Sequence, residues 1–143
     1  MVADVTREIA IPRPPSVVWR QFGTEEALRR WLAPTLTIDL EEGGEYRMLG
    51  ADGATWISGV VLELVPECRL VLSWLEEDAG WAHPGRLVIE LRATDDGTAV
   101  SLTHDGFAGI GTATWRRTRD AYARGLAEHQ VLEQLADAVS IVA

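Results

Sequence analysis

The sequence contains no lysine, and all 13 of its basic residues are arginine. Without lysine the chain can form neither a Schiff base with a carbonyl substrate nor the lysine-containing phosphate loop of nucleotide-binding enzymes. It also has a single cysteine, Cys68, which cannot form an intramolecular disulfide. These absences exclude two classes of enzyme and make the cytoplasm the predicted location.

Long apolar runs are missing as well. The first seven residues lack the apolar stretch of a secretory signal. The most apolar windows are interrupted by acidic residues or proline before they reach the roughly 18 residues that a membrane-spanning helix needs. We therefore expect no secretory leader and no membrane span.

The charge balance is strongly acidic, with 22 acidic and 13 basic side chains and a net charge of −9. A field of this sign repels phosphate backbones, so we expect no nucleic-acid partner. The length of 143 residues and the hydrophobic fraction of 47% are ordinary for a globular chain with one core. The sequence predicts a single domain over residues 1–143.

Alternation of apolar and polar residues predicts seven β-strands. The predicted strands are Val5–Ile11, Leu36–Leu40, Glu45–Leu49, Thr55–Val65, Arg69–Leu75, Arg86–Thr94 and Thr98–His104. Short connections rich in Gly, Asp and Pro join most of them, which makes consecutive strands antiparallel neighbours. We expect a curved antiparallel sheet whose open faces need a cover.

Helices supply that cover. Two short helices are predicted after the first strand, one entered through Pro14 and Pro15 and one capped by Thr24. A long helix is predicted from about Thr112 to Ala138, because this stretch has no proline and is rich in helix formers. Its apolar stripe, expected to lie in the concave sheet, contains Trp115, Tyr122, Leu126, Leu132, Leu135 and Val139. The predicted fold class is α+β, with the sheet wrapped on the C-terminal helix.

The order of elements, together with several local patterns, resembles the START-like or SRPBCC superfamily of helix-grip folds. Within it the chain is similar to the bacterial proteins grouped as activator of heat-shock protein 90 ATPase homologue-like. The matching patterns are Ile11 to Trp19, Thr24 to Trp31 with Pro34, Gly43 to Tyr46, Gly59 to Leu70, Gly97 to Phe107 and Tyr122 to Leu126. The resemblance implies a cavity between sheet and helix that holds lipids, sterols, polyketides or other apolar molecules, and that in some members is used for catalysis.

Six tryptophans in a small domain suggest an aromatic lining for such a cavity. The candidates are Trp31, Trp56, Trp74 and Trp115. Strand parity places Trp56 in one apolar stripe with Val60 and Leu64. It places Trp74 in another with Leu72, so both rings are expected to point towards the helix. The alternative for each ring is ordinary core packing.

His104 is the best polar candidate, because it shares a strand face with apolar residues and should point inward. It is predicted either to act as a general base or ligand contact, or to be a histidine satisfied within the core. Phe107 follows in the adjacent turn, and Tyr122 lies on the long helix. Arg119 is expected either to pair a ligand carboxylate at the cavity mouth or to lie on the solvated helix surface.

The function predicted from these features is binding of an apolar or aromatic small molecule in the cavity, without evident chemistry. We predict no cofactor, and no metal site, because the three histidines have no cysteine or carboxylate at ligand spacing. One alternative is an enzyme of the polyketide cyclase or dehydratase kind that uses His104. The other is a protein-interaction module whose sheet edge or Trp81 loop binds a protein partner or forms a homodimer.

Overall fold

The structure, a computed structural model, describes residues 4–50 and 52–142, without the side chains at 126–129, 141 and 142. Over these residues, seven strands form one antiparallel sheet in the order β1-β7-β6-β5-β4-β3-β2. The strands are β1 (Val5–Ile11), β2 (Thr37–Ile38), β3 (Glu45–Leu49), β4 (Trp56–Val65), β5 (Arg69–Glu76), β6 (Gly85–Thr94) and β7 (Gly97–Asp105). The predicted meander is confirmed, and β1 extends the sheet by pairing with β7.

The edge strand β2 is shorter than predicted, with two residues in place of five. The backbone N–H of Ile38 donates to the Glu25 carboxylate at 2.9 Å. The N–H of Leu36, in turn, donates to the carbonyl of Ala33. Both N–H groups thus bond on the side of the segment that faces away from β3, while the ladder itself pairs Thr37 with Arg47 and Ile38 with Tyr46.

The two short helices after β1 are confirmed. They are α1 (Pro15–Val18), continued by a 3₁₀ turn over Trp19–Phe22, and α2 (Glu25–Arg29). Thr24 caps α2 as predicted, since its hydroxyl oxygen accepts the N–H of Ala27 at 3.0 Å.

The predicted long C-terminal helix is divided into α3 (Trp115–His129) and α4 (Val131–Val142). Gln130 stands between them with a φ of 53°. A residue in the left-handed region ends a right-handed helix, because it turns the next peptide away from the helix axis. No glycine or proline marks this position, so composition gave no signal for the break. The side chain of Leu126 lies outside the described residues.

The core fills one end of the groove between sheet and helices. Three buried side chains of α4, Leu132, Leu135 and Val139, belong to the same buried cluster as Phe22 and Trp31 from the N-terminal helical region. These residues come from distant parts of the chain, so the core joins the first and last helical segments across the sheet. Among the described residues, no helix combines the length and apolarity needed to cross a bilayer.

A β-bulge divides β4 into two parts with opposite parity. The pairing with β5 shifts between Val61 and Glu63. Before the bulge, Ile57 and Val61 point into the core, whereas after it Leu64 packs there. Counting Trp56 and Leu64 on one face was therefore wrong, and Trp56 lies on the outer face of the sheet.

Candidate functional site

A cavity of about 370 Å³ lies between the concave face of the sheet and the C-terminal helices. This volume falls within the roughly 300–1,000 Å³ that small-molecule sites occupy. The sheet contributes Met48, Ile57, Trp74, Glu76, Leu87, Leu102 and His104, and the helices contribute Ala121, Tyr122, Gly125 and Val131. The remaining lining residues come from the segment after α2 and from the β3–β4 hairpin: Leu32, Ala33, Leu49, Gly50, Asp52 and Thr55. The lining is mostly apolar, with a few polar groups gathered on one side.

Three aromatic rings form the wall on that side. The ring of His104 lies edge-on to Trp74, with centroids 4.7 Å apart, and 4.9 Å from the ring of Tyr122. Phe107 packs 5.2 Å from Tyr122 but does not itself line the cavity. Edge-on and tilted contacts of this kind are the favoured geometries for aromatic pairs, so the rings hold one another in place.

A chain of hydrogen bonds runs along the same wall. The indole N–H of Trp74 donates to the hydroxyl oxygen of Tyr122 at 2.8 Å, and that hydroxyl donates to Oε2 of Glu76 at 2.6 Å. Burial raises the pKa of Tyr122, and the Glu76 carboxylate raises it further. The hydroxyl therefore stays protonated at neutral pH and remains a donor to Glu76.

His104 points into the interior, as strand parity predicts, and is only 5% exposed. Burial lowers its pKa to about 4, although the Arg86 backbone and the negative charge of Asp105 act in the opposite direction. Within the described part of the chain, its Nδ1 has no hydrogen-bond partner. The imidazole that lines the cavity is thus neutral at pH 7.

The carboxylate beside His104 in sequence does not orient it. Asp105 forms a two-pronged ion pair with Arg86, with N–O distances of 2.9 and 2.6 Å. Arg86 is exposed and lies outside the cavity lining. The pair lies on the outer surface, so Asp105 forms no hydrogen-bonded couple with His104.

A second acidic group stands at the cavity rim. Asp52 accepts hydrogen bonds from the backbone N–H groups of Ala54 and Thr55 and from the Thr55 hydroxyl. These bonds lower the pKa of Asp52 to about 2, the Thr55 hydroxyl contributing most. The rim therefore carries a full negative charge at neutral pH.

Of the predicted site residues, the structure brings Trp74, His104 and Tyr122 together in the cavity wall. It places Trp31 elsewhere. Trp31 is 1% exposed, packs 5.0 Å from the ring of Phe22, and donates its indole N–H to the carbonyl of Gln21. Trp31 is a core residue, in agreement with the alternative that the sequence left open.

Trp56 was predicted to point inward and does not. It is 37% exposed on the outer face, where the guanidinium carbon of Arg47 lies 3.9 Å from its ring centre. Arg47 in turn forms an ion pair with Glu77. Trp56 therefore belongs to a surface stack on the opposite side of the sheet.

Trp115 and Arg119 also lie outside the cavity lining. Trp115 begins α3 and is only half-buried, against the expectation of a mostly buried ring, with the guanidinium carbon of Arg116 4.4 Å from its ring centre. Arg119 contacts the same ring and forms an ion pair with Asp120 at 3.0 Å. The predicted role of Arg119 at the cavity mouth has no support in this geometry.

Trp81, whose loop is one of the two surfaces predicted for a protein partner, is half-buried and meets Phe107 edge-on at 6.4 Å. Its loop packs behind the aromatic wall, where the N–H of Ala82 donates to the carbonyl of Ile110 at 2.7 Å. The loop supports the wall from outside and does not line the cavity.

Sequence reasoning missed Glu76. The predicted strand ended at Leu75, which left Glu76 in an acidic loop, whereas β5 continues through Glu76. A signal was present, because Glu76 follows Leu72 and Trp74 at intervals of two and so shares their inward face. Extending the strand by one residue would have placed a carboxylate beside the aromatic candidates.

The sheet that grips C-terminal helices around a cavity defines the class of this protein as a START-like, helix-grip domain. The family model described as Activator of Hsp90 ATPase homolog 1-like protein matches residues 12–139. The chain therefore belongs to that family.

Known proteins resemble this chain in sequence or in fold. The chain is 26% identical over 110 residues to the human Activator of 90 kDa heat shock protein ATPase homolog 1; the match covers 77% of this chain but only 30% of the length of that relative. A crystal structure of a Mesorhizobium loti protein covers 98% of both chains at 20% identity, with a TM-score of 0.79. The Aha1 dimer from Colwellia psychrerythraea covers 97% of this chain and 96% of its own at 16% identity, with a TM-score of 0.71. These two likenesses concern the fold.

Proposed function

We propose that this domain is a cytoplasmic binding protein that holds an apolar or aromatic small molecule in the cavity between the sheet and the C-terminal helices. The observation that carries the proposal is the cavity of about 370 Å³, lined mainly by apolar side chains with a few polar groups on one wall. Such a composition suits ligands whose apolar body is buried and whose orientation is fixed by one or two polar contacts.

Proton transfer by His104 has less support. A pKa of about 4 makes His104 a weak base at neutral pH, whereas effective general bases have a pKa near the working pH. Asp105, the adjacent carboxylate, is paired with Arg86. Binding without covalent chemistry is therefore the better account of the cavity.

The proposal is tested by blocking the cavity from α3. Ala121 lines the cavity but is itself exposed, so Ala121→Trp adds bulk at the cavity without disturbing the core. Binding is measured with N-phenyl-1-naphthylamine, a neutral dye whose fluorescence rises in apolar surroundings. We expect wild type to bind saturably and Ala121→Trp to bind at least about tenfold more weakly, the equivalent of roughly 1.4 kcal/mol.

The matched control is Ala123→Trp, which adds the same side chain at an exposed position of the same helix that does not line the cavity. Its affinity should stay within about twofold of wild type. If wild type shows no saturable binding of this dye or of sterols, fatty acids and polyaromatics, the proposed function is wrong.

We also propose a homodimer, for two reasons. The similar Colwellia psychrerythraea structure is a dimer by its description. In this chain, Leu62 and Val65 are exposed apolar residues on the outer face of the sheet. Native mass spectrometry of the purified chain tests both proposals, because it reports a retained ligand and the assembly in one spectrum. A mass near 15.7 kDa at all concentrations would contradict the dimer.

A further inference from the structure

We propose that the cavity selects apolar organic cations, meaning an aromatic or aliphatic body that carries a protonated amine, over alcohols and carboxylates of the same shape. This inference rests on the proposed function and adds the chemical class of its ligand. Its basis is the polar wall, in which a carboxylate, two aromatic rings and committed hydrogen-bond donors face the same space.

The ionisable side chains of the cavity lining are acidic, apart from His104 and Tyr122. Glu76 and Asp52 both line the cavity, and among the described lining residues there is no arginine. In the described part of the chain, Glu76 takes part in no ion pair. A half-buried carboxylate without a cationic partner attracts a cation and repels an anion.

The hydrogen-bond donors of Trp74 and Tyr122 are already in use. The indole N–H of Trp74 is used by the Tyr122 hydroxyl, and that hydroxyl is used by Glu76. These two donors therefore point along the chain of hydrogen bonds that ends on the carboxylate. A carboxylate can accept several hydrogen bonds, so Glu76 keeps acceptor capacity beyond its bond from Tyr122. A ligand ammonium supplies the donors that it lacks.

Two aromatic rings lie beside the Glu76 carboxylate. Trp74 and Tyr122 lie edge-on to each other with centroids 6.1 Å apart, and both line the cavity. Aromatic faces attract organic cations, tryptophan most strongly. Glu76 is hydrogen-bonded to Tyr122, and Tyr122 is hydrogen-bonded to Trp74. The carboxylate and the two rings therefore line the same region of the cavity. Cation–π attraction and the carboxylate charge thus favour the same ligand group.

The electrostatic field of the whole chain also favours a cationic ligand. The net charge of −9 raises the local concentration of cations around the molecule. The ionised Asp52 at the rim adds to that field at the cavity entrance. Both effects act against fatty acids and other anions before they reach the wall.

The experiment uses three probes with the same naphthalene body: 1-naphthylmethylamine, 1-naphthalenemethanol and 1-naphthoate. Isothermal titration calorimetry of the wild-type chain at neutral pH gives the three affinities. We expect the amine to bind about tenfold more tightly than the alcohol, and the carboxylate to bind most weakly, since hydrogen bonds to charged groups are stronger than neutral ones. This comparison needs no variant.

Two substitutions then locate the effect. Glu76→Gln removes the wall charge, and the preference for the amine over the alcohol should fall from about tenfold to within about threefold. Glu77→Gln is the matched control, because Glu77 is the next residue and forms an ion pair with Arg47 on the outer surface. The control should keep the full preference.

The outcomes separate this inference from the proposed function. Binding of the alcohol or the carboxylate as tightly as the amine would overturn the inference and leave the binding function intact. Binding of none of the three probes, together with failure of the neutral dye, would overturn both. Retention of the amine preference in Glu76→Gln would show that Glu76 is not its source and would also overturn the inference.

Discussion

The two C-terminal helices meet the same sheet in different ways. In α4, the side chains of Leu132, Leu135, Ala138 and Val139 are buried against the core. In α3, by contrast, none of the described side chains is buried, and Tyr122 stands half-buried over the cavity. The sheet therefore packs tightly against α4 but leaves a cavity beneath α3. We call these two regions the packed end and the hollow end.

Their polar contacts differ as well. Arg7 of β1 forms a two-pronged ion pair with Glu133 of α4, the first contact being 2.5 Å. In α3, the contact of Tyr122 is with Glu76 at the edge of the cavity. The ion pair joins α4 to the sheet, whereas the hydrogen bond from Tyr122 to Glu76 forms part of the cavity wall. Because α4 supplies the packing, α3 can leave space beneath it without loss of the fold.

The largest expected effect is a loss of stability on truncating a core side chain of α4, at the packed end. Leu135→Ala should lower the free energy of unfolding by about 2–5 kcal/mol, because Leu135 is fully buried and its truncation leaves a cavity in the core. Denaturant unfolding measures the loss. Ser140→Ala, on the exposed side of α4, should change the free energy of unfolding by no more than about 0.5 kcal/mol. A loss below about 1 kcal/mol for Leu135→Ala would contradict the role assigned to α4.

The next largest effect is the pH dependence of the free energy of unfolding, which reports on His104 at the hollow end. His104 has a pKa of about 4 in the folded chain, against 6.5 for an unperturbed histidine. The unfolded chain therefore binds more protons between these values, so the free energy of unfolding falls as the pH drops through this window and is fully retained above it. For this buried group the loss is about 2 kcal/mol between about pH 7 and about pH 5.

Unfolding of wild type and of His104→Leu across this range separates the contribution of His104 from that of other groups. The pKa of Glu133 is lowered by Arg7 from 4.5, so its effect on the free energy of unfolding appears below the range of the experiment. The variant should show a clearly shallower loss than wild type. Equal slopes in the two proteins would mean that His104 is not buried in neutral form.

The smallest expected effect is a change in the free energy of unfolding on substitution of Gln130, at the junction between α3 and α4. Gln130 adopts φ 53°, a conformation that costs a residue with a side chain about 1 kcal/mol or more and that glycine adopts readily. Gln130→Gly should therefore raise the free energy of unfolding by up to about 1 kcal/mol. The same change inside α3, Ala123→Gly, should lower it by about 1 kcal/mol. A loss in both variants, measured by thermal unfolding, would indicate that the two helices are continuous.

Much of this architecture was predictable. Alternation predicted the strands, and the short turns between them predicted the order of the sheet, because neighbouring strands joined by short turns pair antiparallel. Thr24 as a helix cap and the inward direction of His104 were predicted from local chemistry and parity alone. Each of these features depends on residues that are close in sequence.

Other features were not predictable from local pattern. The bulge in β4 reversed the orientation expected for Trp56, because apolar residues occur on both faces of that strand and parity then depends on the pairing with β5. The break at Gln130 has no glycine or proline to announce it. Long-range pairing and packing decided both features.

The sequence by itself determined the class of fold, the curved sheet and the position of the helices, since these follow from hydrophobic periodicity and turn chemistry. Only the tertiary structure decided which aromatic rings surround a space and which fill the core. The cavity wall brings together Trp74, Tyr122 and Glu76, which lie up to 48 residues apart in the sequence. Trp31, by contrast, is buried in the packed core. A cavity is the volume that packing leaves empty, and that volume depends on all the surrounding elements at once, so no local pattern specifies it.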